Sequence, residues 1–278
     1  MQGAPLDIEF ERIGPLARLL RTAVVNPFAN YAPAGLIRWL LRVTRSELAA
    51  ANWADPGGWR SMVISYNGRC RQWADKVLVG TGAVPMALRN RRRLAARILA
   101  GLIDACPHSP PEVLCVGAGP GMVLFDALSQ ARAAARATLI DLSDDAHDYA
   151  RQLAHQRGLE DRVRFVTGDV RDIAPHLDGR VDVVKMLGIC EYLPDEQLVS
   201  MARVLASAMP AGGTVVFNSL SKRHGTDRFF RKVFGLHMIH RPVDALCQLM
   251  RQGGFGGFES LPEPLGVYHV VTACKQPC

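Results

Sequence analysis

Glycines 117, 119 and 121 lie in the run Glu112-Val-Leu-Cys-Val-Gly-Ala-Gly-Pro-Gly121, where five residues of buried-strand type feed a G-x-G-x-G turn and then a helical stretch over 122–131. A turn without Cβ atoms lets backbone N–H groups approach a ligand closely. About twenty residues on, Ala137-Thr-Leu-Ile-Asp141 reads as a second strand ending in a carboxylate, the placement that suits ribose hydroxyls. The pair reads as a nucleoside-binding crossover. A glycine turn alone is also a steric solution for any tight strand-to-helix connection, so the neighbouring elements must supply the remaining contacts.

They do so in order. Val163-Arg-Phe-Val-Thr-Gly-Asp169 is strand-like and ends in a second acid, Val181-Asp-Val-Val-Lys-Met-Leu-Gly188 supplies a fourth strand, and Gly212-Gly-Thr-Val-Val-Phe-Asn218 a fifth. These five segments resemble the class I S-adenosylmethionine-dependent methyltransferases over roughly residues 111–275, and they are also similar to a loosely characterised group of bacterial methyltransferases. The resemblance implies S-adenosylmethionine as cofactor. It implies that Gly117, Ala118, Gly119 and Gly121 pack against the methionine moiety, that Asp141 and Leu142 hold the ribose, that Gly168, Asp169 and Val170 reach the adenine, and that Leu187 and Gly188 follow strand four. In many relatives a residue of the preceding helices covers the methionine carboxylate, for which Tyr66 is the first candidate and Arg69 the second. Nicotinamide dehydrogenases share the first strand, turn and acid. Their fingerprint is G-x-G-x-x-G, whereas here the third glycine falls one residue early and position 122 is Met.

A sulfonium methyl donor is already a strong electrophile, so the protein has chiefly to align a nucleophile and exclude water. Hydroxyl or carbon acceptors need a base as well. Such a base should come from the carboxyl ends of the strands: Glu191 and Tyr192 after strand four, Asn218 and Ser219 after strand five, and His224, His237 and His240 in the segment beyond. Each has a plainer reading. Glu191 and Tyr192 equally suit a helix cap or packing beneath the cofactor, and histidines in a basic loop equally suit solvent. No HxH, HExxH or paired-cysteine spacing is present, and no metal is expected.

Positioning these groups calls for an α/β doubly wound, mostly parallel seven-stranded sheet with an antiparallel last strand over 267–275, preceded by an N-terminal helical cap. The division expected is a substrate-binding cap over residues 1–105 and a core over 106–278 with a lid insertion at 219–241. In that insertion Phe230, Val233 and Phe234 share a helical face, which predicts a short lid helix. Another helix opens at Pro242 and closes at Gly253-Gly254. The cap reads as helices broken at Pro27, Pro33 and Asp55-Pro-Gly-Gly58, its tryptophans (Trp39, Trp53, Trp59, Trp73) forming its own core or lining a cavity. A helix over 91–105 leads into the first strand.

The formal net charge is +7, and residues 1–111 carry 15 Lys and Arg against 7 acids, so the basic charge resides in the cap. That field favours an anionic small-molecule acceptor, RNA or a lipid headgroup. Arg89-Asn-Arg-Arg-Arg93 reads first as a solvated helical face. The chain has no recognisable RNA-binding module. Leu36, Ile37, Trp39, Leu40, Leu41 and Val43 with Arg38, Arg42 and Arg45 form an apolar face with a basic flank, suited to docking on the core or to peripheral membrane contact. Seven scattered cysteines point to a reduced interior, and the lack of a signal-like or spanning apolar run points to the cytoplasm. Oligomeric state is left open, a homodimer included. Three functions compete: methyl transfer to a small metabolite, methyl transfer to RNA or lipid, and cofactor binding without turnover.

Overall fold

The computed structural model describes residues 7–177 and 179–277. The first six residues of the expected cap, Asp178 and Cys278 lie outside the described residues.

Seven strands, β1 (Glu112–Val116), β2 (Arg136–Asp141), β3 (Val163–Thr167), β4 (Val183–Met186), β5 (Thr214–Leu220), β6 (Phe255–Pro262) and β7 (Tyr268–Lys275), form one sheet in the order β3-β2-β1-β4-β5-β7-β6. The first five are parallel, and β7 runs antiparallel between β5 and β6. The strand order reverses beside β1, which opens a crevice at the carboxyl ends of β1 and β4. β7 pairs with β5 from Thr214↔Cys274 to Leu220↔Tyr268, so Tyr268 arrives at that same end of the sheet.

The parallel centre is covered on both faces, which is why β1 and β4 are continuous apolar runs rather than alternating ones. On one face β1 and β2 residues such as Cys115 and Leu139 pack with Phe125 and Leu128 of the helix Met122–Gln130 and Leu99 of the long helix Ala83–Asp104. The other face packs against the helices Asp195–Ala208 and Val243–Gln252. The latter begins directly after Pro242 and ends at Gly253, as its sequence signals require.

One helix boundary differs from expectation, and one of the seven expected strands had no position in the sequence reading. The helix preceding β1 starts at Ala83, eight residues before 91, and the sheet has a strand at Phe255–Pro262 that the sequence reading passed over. That strand has Gly256 and Gly257, a bulge between Gly256 and Glu259, and mostly exposed side chains beyond its start, so its alternation is weak.

The cap consists of the helical stretch from Pro15 to Tyr31 and the helices Ala34–Val43, Glu47–Ala54, Trp59–Asn67 and Trp73–Gly80. Buried Asp75 ties two of them together by accepting from Ser46 Oγ and from the backbone N–H of Glu47 (2.7 Å) at the N-terminus of Glu47–Ala54. Ile37, Leu41, Ala49 and Tyr66 join the same apolar cluster as the sheet. The tryptophans do not form a cap core together: Trp39 and Trp73 are 59% and 65% exposed, Trp53 packs against the sheet's apolar cluster and Trp59 lines the crevice.

Candidate active site

The crevice is a cavity of about 580 Å³, bounded by the glycine turn and β4 below and by the cap and the 219–241 segment above. Its floor is made by the turn after β1. Gly117, Gly119 and Gly121 all have positive φ (58°, 52° and 69°), a conformation that L side chains adopt only under strain. A Cβ on Gly117 would lie 2.1 Å from Ile189, and one on Gly121 2.7 Å from the Phe125 ring. Gly119 differs: a Cβ there would meet only Trp59 at 3.9 Å and would project into the cavity.

Asp141 fixes this turn. Its Oδ2 accepts from the Gly119 N–H (2.7 Å) and its Oδ1 from the Ser143 N–H (3.0 Å). One lone pair on each oxygen remains, and the residue lines the cavity with Ala118, Leu142 and Ser143. Gly168 is backed by the His176 ring, which leaves no room for a Cβ, and its N–H donates to the Asp141 carbonyl (3.0 Å). Val170 lines the cavity, whereas the Asp169 carboxylate turns onto its own loop and is gripped by the Arg171 guanidinium (2.9 Å from Nε) and backbone N–H (2.9 Å). That pairing holds the Asp169 carboxyl below its ordinary range.

The opposite wall is a network of buried side chains. Asn218, fully buried on β5, accepts from the Gly188 N–H (2.8 Å) and from Arg91 Nη1 (3.2 Å), and its amide reaches toward Glu191 Oε2 (3.4 Å). Arg91, 2% exposed, also donates to the Tyr66 hydroxyl (3.2 Å), lies 3.7 Å from Glu191 and stacks over the Tyr268 ring at 4.5 Å. Burial pushes the Glu191 carboxyl above the ordinary carboxylate range, with Arg91 opposing it. The phenolate of Tyr268 is disfavoured by burial in the same way. Arg241 anchors the loop that carries Glu191, donating to the Cys190 and Leu193 carbonyls and pairing with Asp195. Tyr192 lines the cavity with its hydroxyl against the backbone of Gly57. Leu187 and Gly188 complete this wall, and Lys185 reaches the cavity from inside β4.

Above the cavity, Asp227–Phe229 is helical and continues to Phe234 in a wider turn, burying Phe229, Val233 and Phe234. His224 lines the cavity and is 1% exposed. Its Nδ1 accepts from the Thr226 N–H (3.2 Å), which leaves the proton on Nε2 to donate to His240 Nε2 (3.1 Å). Both ring nitrogens are thus engaged away from the cavity. His240 stands behind His224, and His237 is exposed outside the cavity. Burial, reinforced by His240, pushes the His224 pKa down to about 4.

The structure therefore brings together Tyr66, the glycine turn, Asp141, Leu142, Val170, Leu187, Gly188, Glu191, Tyr192 and His224, and leaves Gly168, Asp169, Arg69, His237 and His240 off the cavity wall. Sequence reading missed Arg91, Lys185, Tyr268 and Phe229. The 89–93 run is not a solvated face: Arg89, Asn90 and Arg91 are buried, and Arg92 pairs with Asp126 at 2.6 Å. Five consecutive helical residues point around the whole axis, so some of them must face inward. The available signal for Lys185 was a lysine inside the otherwise apolar Val-Val-Lys-Met run.

At the far end of the sheet Cys106, His108 and Asp182 form the one cluster with metal-ligand spacing among the described residues, but the Asp182 carboxylate is already paired with Arg180 (2.9 Å) and accepts from the Glu112 N–H (2.9 Å). Among the described residues no helix is long and apolar enough to cross a membrane.

Residues 113–213 match the methyltransferase domain family. The phenazine O-methyltransferase of Lysobacter antibioticus is 30% identical over 173 residues, which is 60% of this chain and 49% of that protein. A ubiquinone biosynthesis O-methyltransferase of Escherichia fergusonii is 33% identical over 48% of this chain and 51% of that protein. The tRNA 5-carboxymethoxyuridine methyltransferase of Escherichia coli K12 is 30% identical over 37% and 38%. The chain spans about half the length or less of these curated relatives. Among solved structures, one described as a possible exported protein from Bordetella parapertussis shares the fold over 96% of this chain and 100% of that one (TM-score 0.66, 17% identity). The magnesium protoporphyrin IX methyltransferase of Synechocystis PCC 6803, solved with bound SAH, shares it over 91% and 99% (TM-score 0.57, 16% identity). With the glycine turn, Asp141 and the reversed strand order in place, residues 113–213 are a methyltransferase domain of the class I, S-adenosylmethionine-dependent type.

Proposed function

We propose that the protein transfers a methyl group from S-adenosylmethionine to the hydroxyl of a small, ring-bearing acceptor that carries or develops negative charge. The observation that carries this reading is the cavity itself: about 580 Å³, walled by Phe229, Phe230, Phe234 and Tyr192, with buried Glu191 and Arg91 on one side and the glycine turn on the other. That size and apolar character suit a small molecule with a few fixed polar contacts. The O-methyltransferases of phenazine and ubiquinone biosynthesis among the relatives act in the same chemical class.

The residues fit the cofactor. Gly119 leaves open space where any side chain would intrude, Asp141 retains lone pairs for two ribose hydroxyls, and Val170 faces the adenine position. We assign the adenine contact to the Val170 backbone, with the Asp169 carboxylate as its partner once released from Arg171. Tyr66, held by Arg91, and Lys185 supply polar groups for the methionine end. When bound, S-adenosylmethionine supplies an electrophilic methyl carbon.

Glu191 is the residue best suited to take the acceptor proton. Burial raises its pKa above the ordinary carboxylate range, which makes it a stronger base, and the charge of Arg91 with the amide of Asn218 steadies the anion. Tyr192 and the aromatic lid orient the ring and exclude water. His224 and His240 brace the lid and serve as positioning residues. Seven scattered cysteines, with Cys115 and Cys190 buried and unpaired, suit a reducing compartment such as the cytoplasm.

Calorimetry with S-adenosylmethionine tests the cofactor half: Asp141→Ala should weaken binding by about 1–3 kcal/mol. Transfer of a labelled methyl group across a panel of hydroxylated aromatic acids, neutral phenols and tRNA tests the rest. Glu191→Gln should bind the cofactor normally yet lose about 10²- to 10⁴-fold in kcat. Turnover on tRNA alone, or an unchanged kcat in Glu191→Gln, would sink the assignment.

A further inference from the structure

The helical stretch from Pro15 to Tyr31 buries none of its residues, and with the helix Ala34–Val43 it exposes a broad apolar face. Leu16, Leu20, Val24 and Phe28 recur every four residues on it, from 80% exposed at Leu16 to 55% at Phe28. Tyr31 at the end of the stretch and Trp39 and Val43 of the next helix are exposed as well, at 72%, 59% and 61%. A row of exposed large apolar side chains of this kind marks a surface that meets something apolar.

Charge selects the occupant. Residues 12–46 hold six arginines, Arg12, Arg18, Arg21, Arg38, Arg42 and Arg45, and no Asp, Glu or Lys. Arg18, Arg42 and Arg45 are exposed, and Arg228 of the lid joins them by stacking over the exposed Tyr31 ring at 5.0 Å. A second copy docking the same face about a twofold axis would bring two acid-free arginine sets together. An anionic bilayer complements both halves of the pattern: apolar side chains enter the acyl boundary, arginines meet phosphates, and Tyr31 and Trp39 have the amphipathic rings favoured at headgroup level.

We infer that this face is a peripheral docking surface for anionic membranes. The inner side of the same stretch contributes Arg21, Val25, Asn26 and Ala29 to the cavity wall. It is also tied to the lid: Asn30 donates to the Gly225 carbonyl (2.7 Å) and accepts from the Phe229 N–H (3.0 Å), and Arg38 bonds the Val233 carbonyl (3.2 Å). Docking would set the cavity's arm and lid side against the lipid surface, where an apolar acceptor partitions. This last consequence rests on the acceptor-cavity reading above, but the docking itself does not.

Flotation of the full chain with phosphatidylcholine vesicles, with and without phosphatidylglycerol, separates the two. Retention should require phosphatidylglycerol and fall with salt. Leu20→Glu with Phe28→Glu should abolish it, and Arg18→Ala, Arg42→Ala and Arg45→Ala together should weaken it about a hundredfold, each arginine near the surface being worth about fivefold. Unchanged melting and S-adenosylmethionine binding in these variants show that the fold and cofactor site persist. The inference is overturned by no retention, by equal retention on neutral vesicles, or by a solution dimer that the same glutamates dissociate while vesicles capture nothing.

Discussion

The floor and the far wall of the cavity are held in different ways. At the floor the shaping hydrogen bonds are backbone N–H groups donated to one carboxylate across 22 residues or fewer, Gly119 and Ser143 to Asp141. On the far wall they run through side chains, joining Arg91 to Asn218 across 127 residues and Asn218 to Glu191 across 27, with Asn218 also accepting from the Gly188 N–H across 30. A backbone-built site depends on chain conformation and accepts many neighbouring side chains. A side-chain network of buried charges stands or falls as a unit, because each member left alone carries its full desolvation cost.

The comparison breaks most visibly at Arg91. Arg91→Met removes the cation nearest buried Glu191 along with the donor to Tyr66, and it should destabilise the fold by about 3–5 kcal/mol in chemical denaturation. Adding Glu191→Gln should recover part of that loss, since the stranded charge is then gone. If the single and double variants unfold at the same denaturant concentration, the wall is not the coupled unit described above.

A smaller effect belongs to the 219–241 segment. His224 titrates at about 4 in the fold against an ordinary 6.5, so the neutral ring is the one the fold prefers. As pH falls from 6.5 toward 4 the unfolded chain takes up a proton that the folded chain refuses. Stability fully present above 6.5 is therefore lost through that window, by up to about 3 kcal/mol. His224→Phe keeps an aromatic ring against His240 and Phe230 without the titration. Its stability difference from the parent should shift in its favour between pH 7 and pH 4.5. Parallel curves would assign the acid sensitivity elsewhere.

The same contrast governs what the sequence made legible. The glycine turn, Asp141, five parallel strands and the antiparallel β7 were readable because each is written in a short run of contiguous residues with its own steric or periodic rule. The short helix at 227–234 was readable for that reason too, although Phe229, which completes its buried face, was not. Arg91 was hidden because its burial depends on Asn218, Tyr66 and Tyr268, which no local pattern connects to it. The Asp169 carboxylate illustrates the converse. Its position after β3 was plain, but its partner Arg171, two residues on, decides where it points.

Glycine 119 offers the finest test, because conformational strain and cavity occupation can be separated there. Its φ of 52° and the 63° of Gly158 lie in the same left-handed region, and an added Cβ at Gly158 meets nothing within 4 Å. Alanine at either position should therefore cost about 1–2 kcal/mol of stability from backbone strain alone. Only at Gly119 does the new methyl enter the cavity beside the turn whose N–H is fixed by Asp141. Gly119→Ala should weaken S-adenosylmethionine binding roughly tenfold by calorimetry, the cost of modest overpacking, while Gly158→Ala leaves it unchanged. Equal affinities in the two variants would mean that the cofactor does not lie against this turn, and the division between a backbone-built floor and a side-chain-built wall would lose its functional meaning.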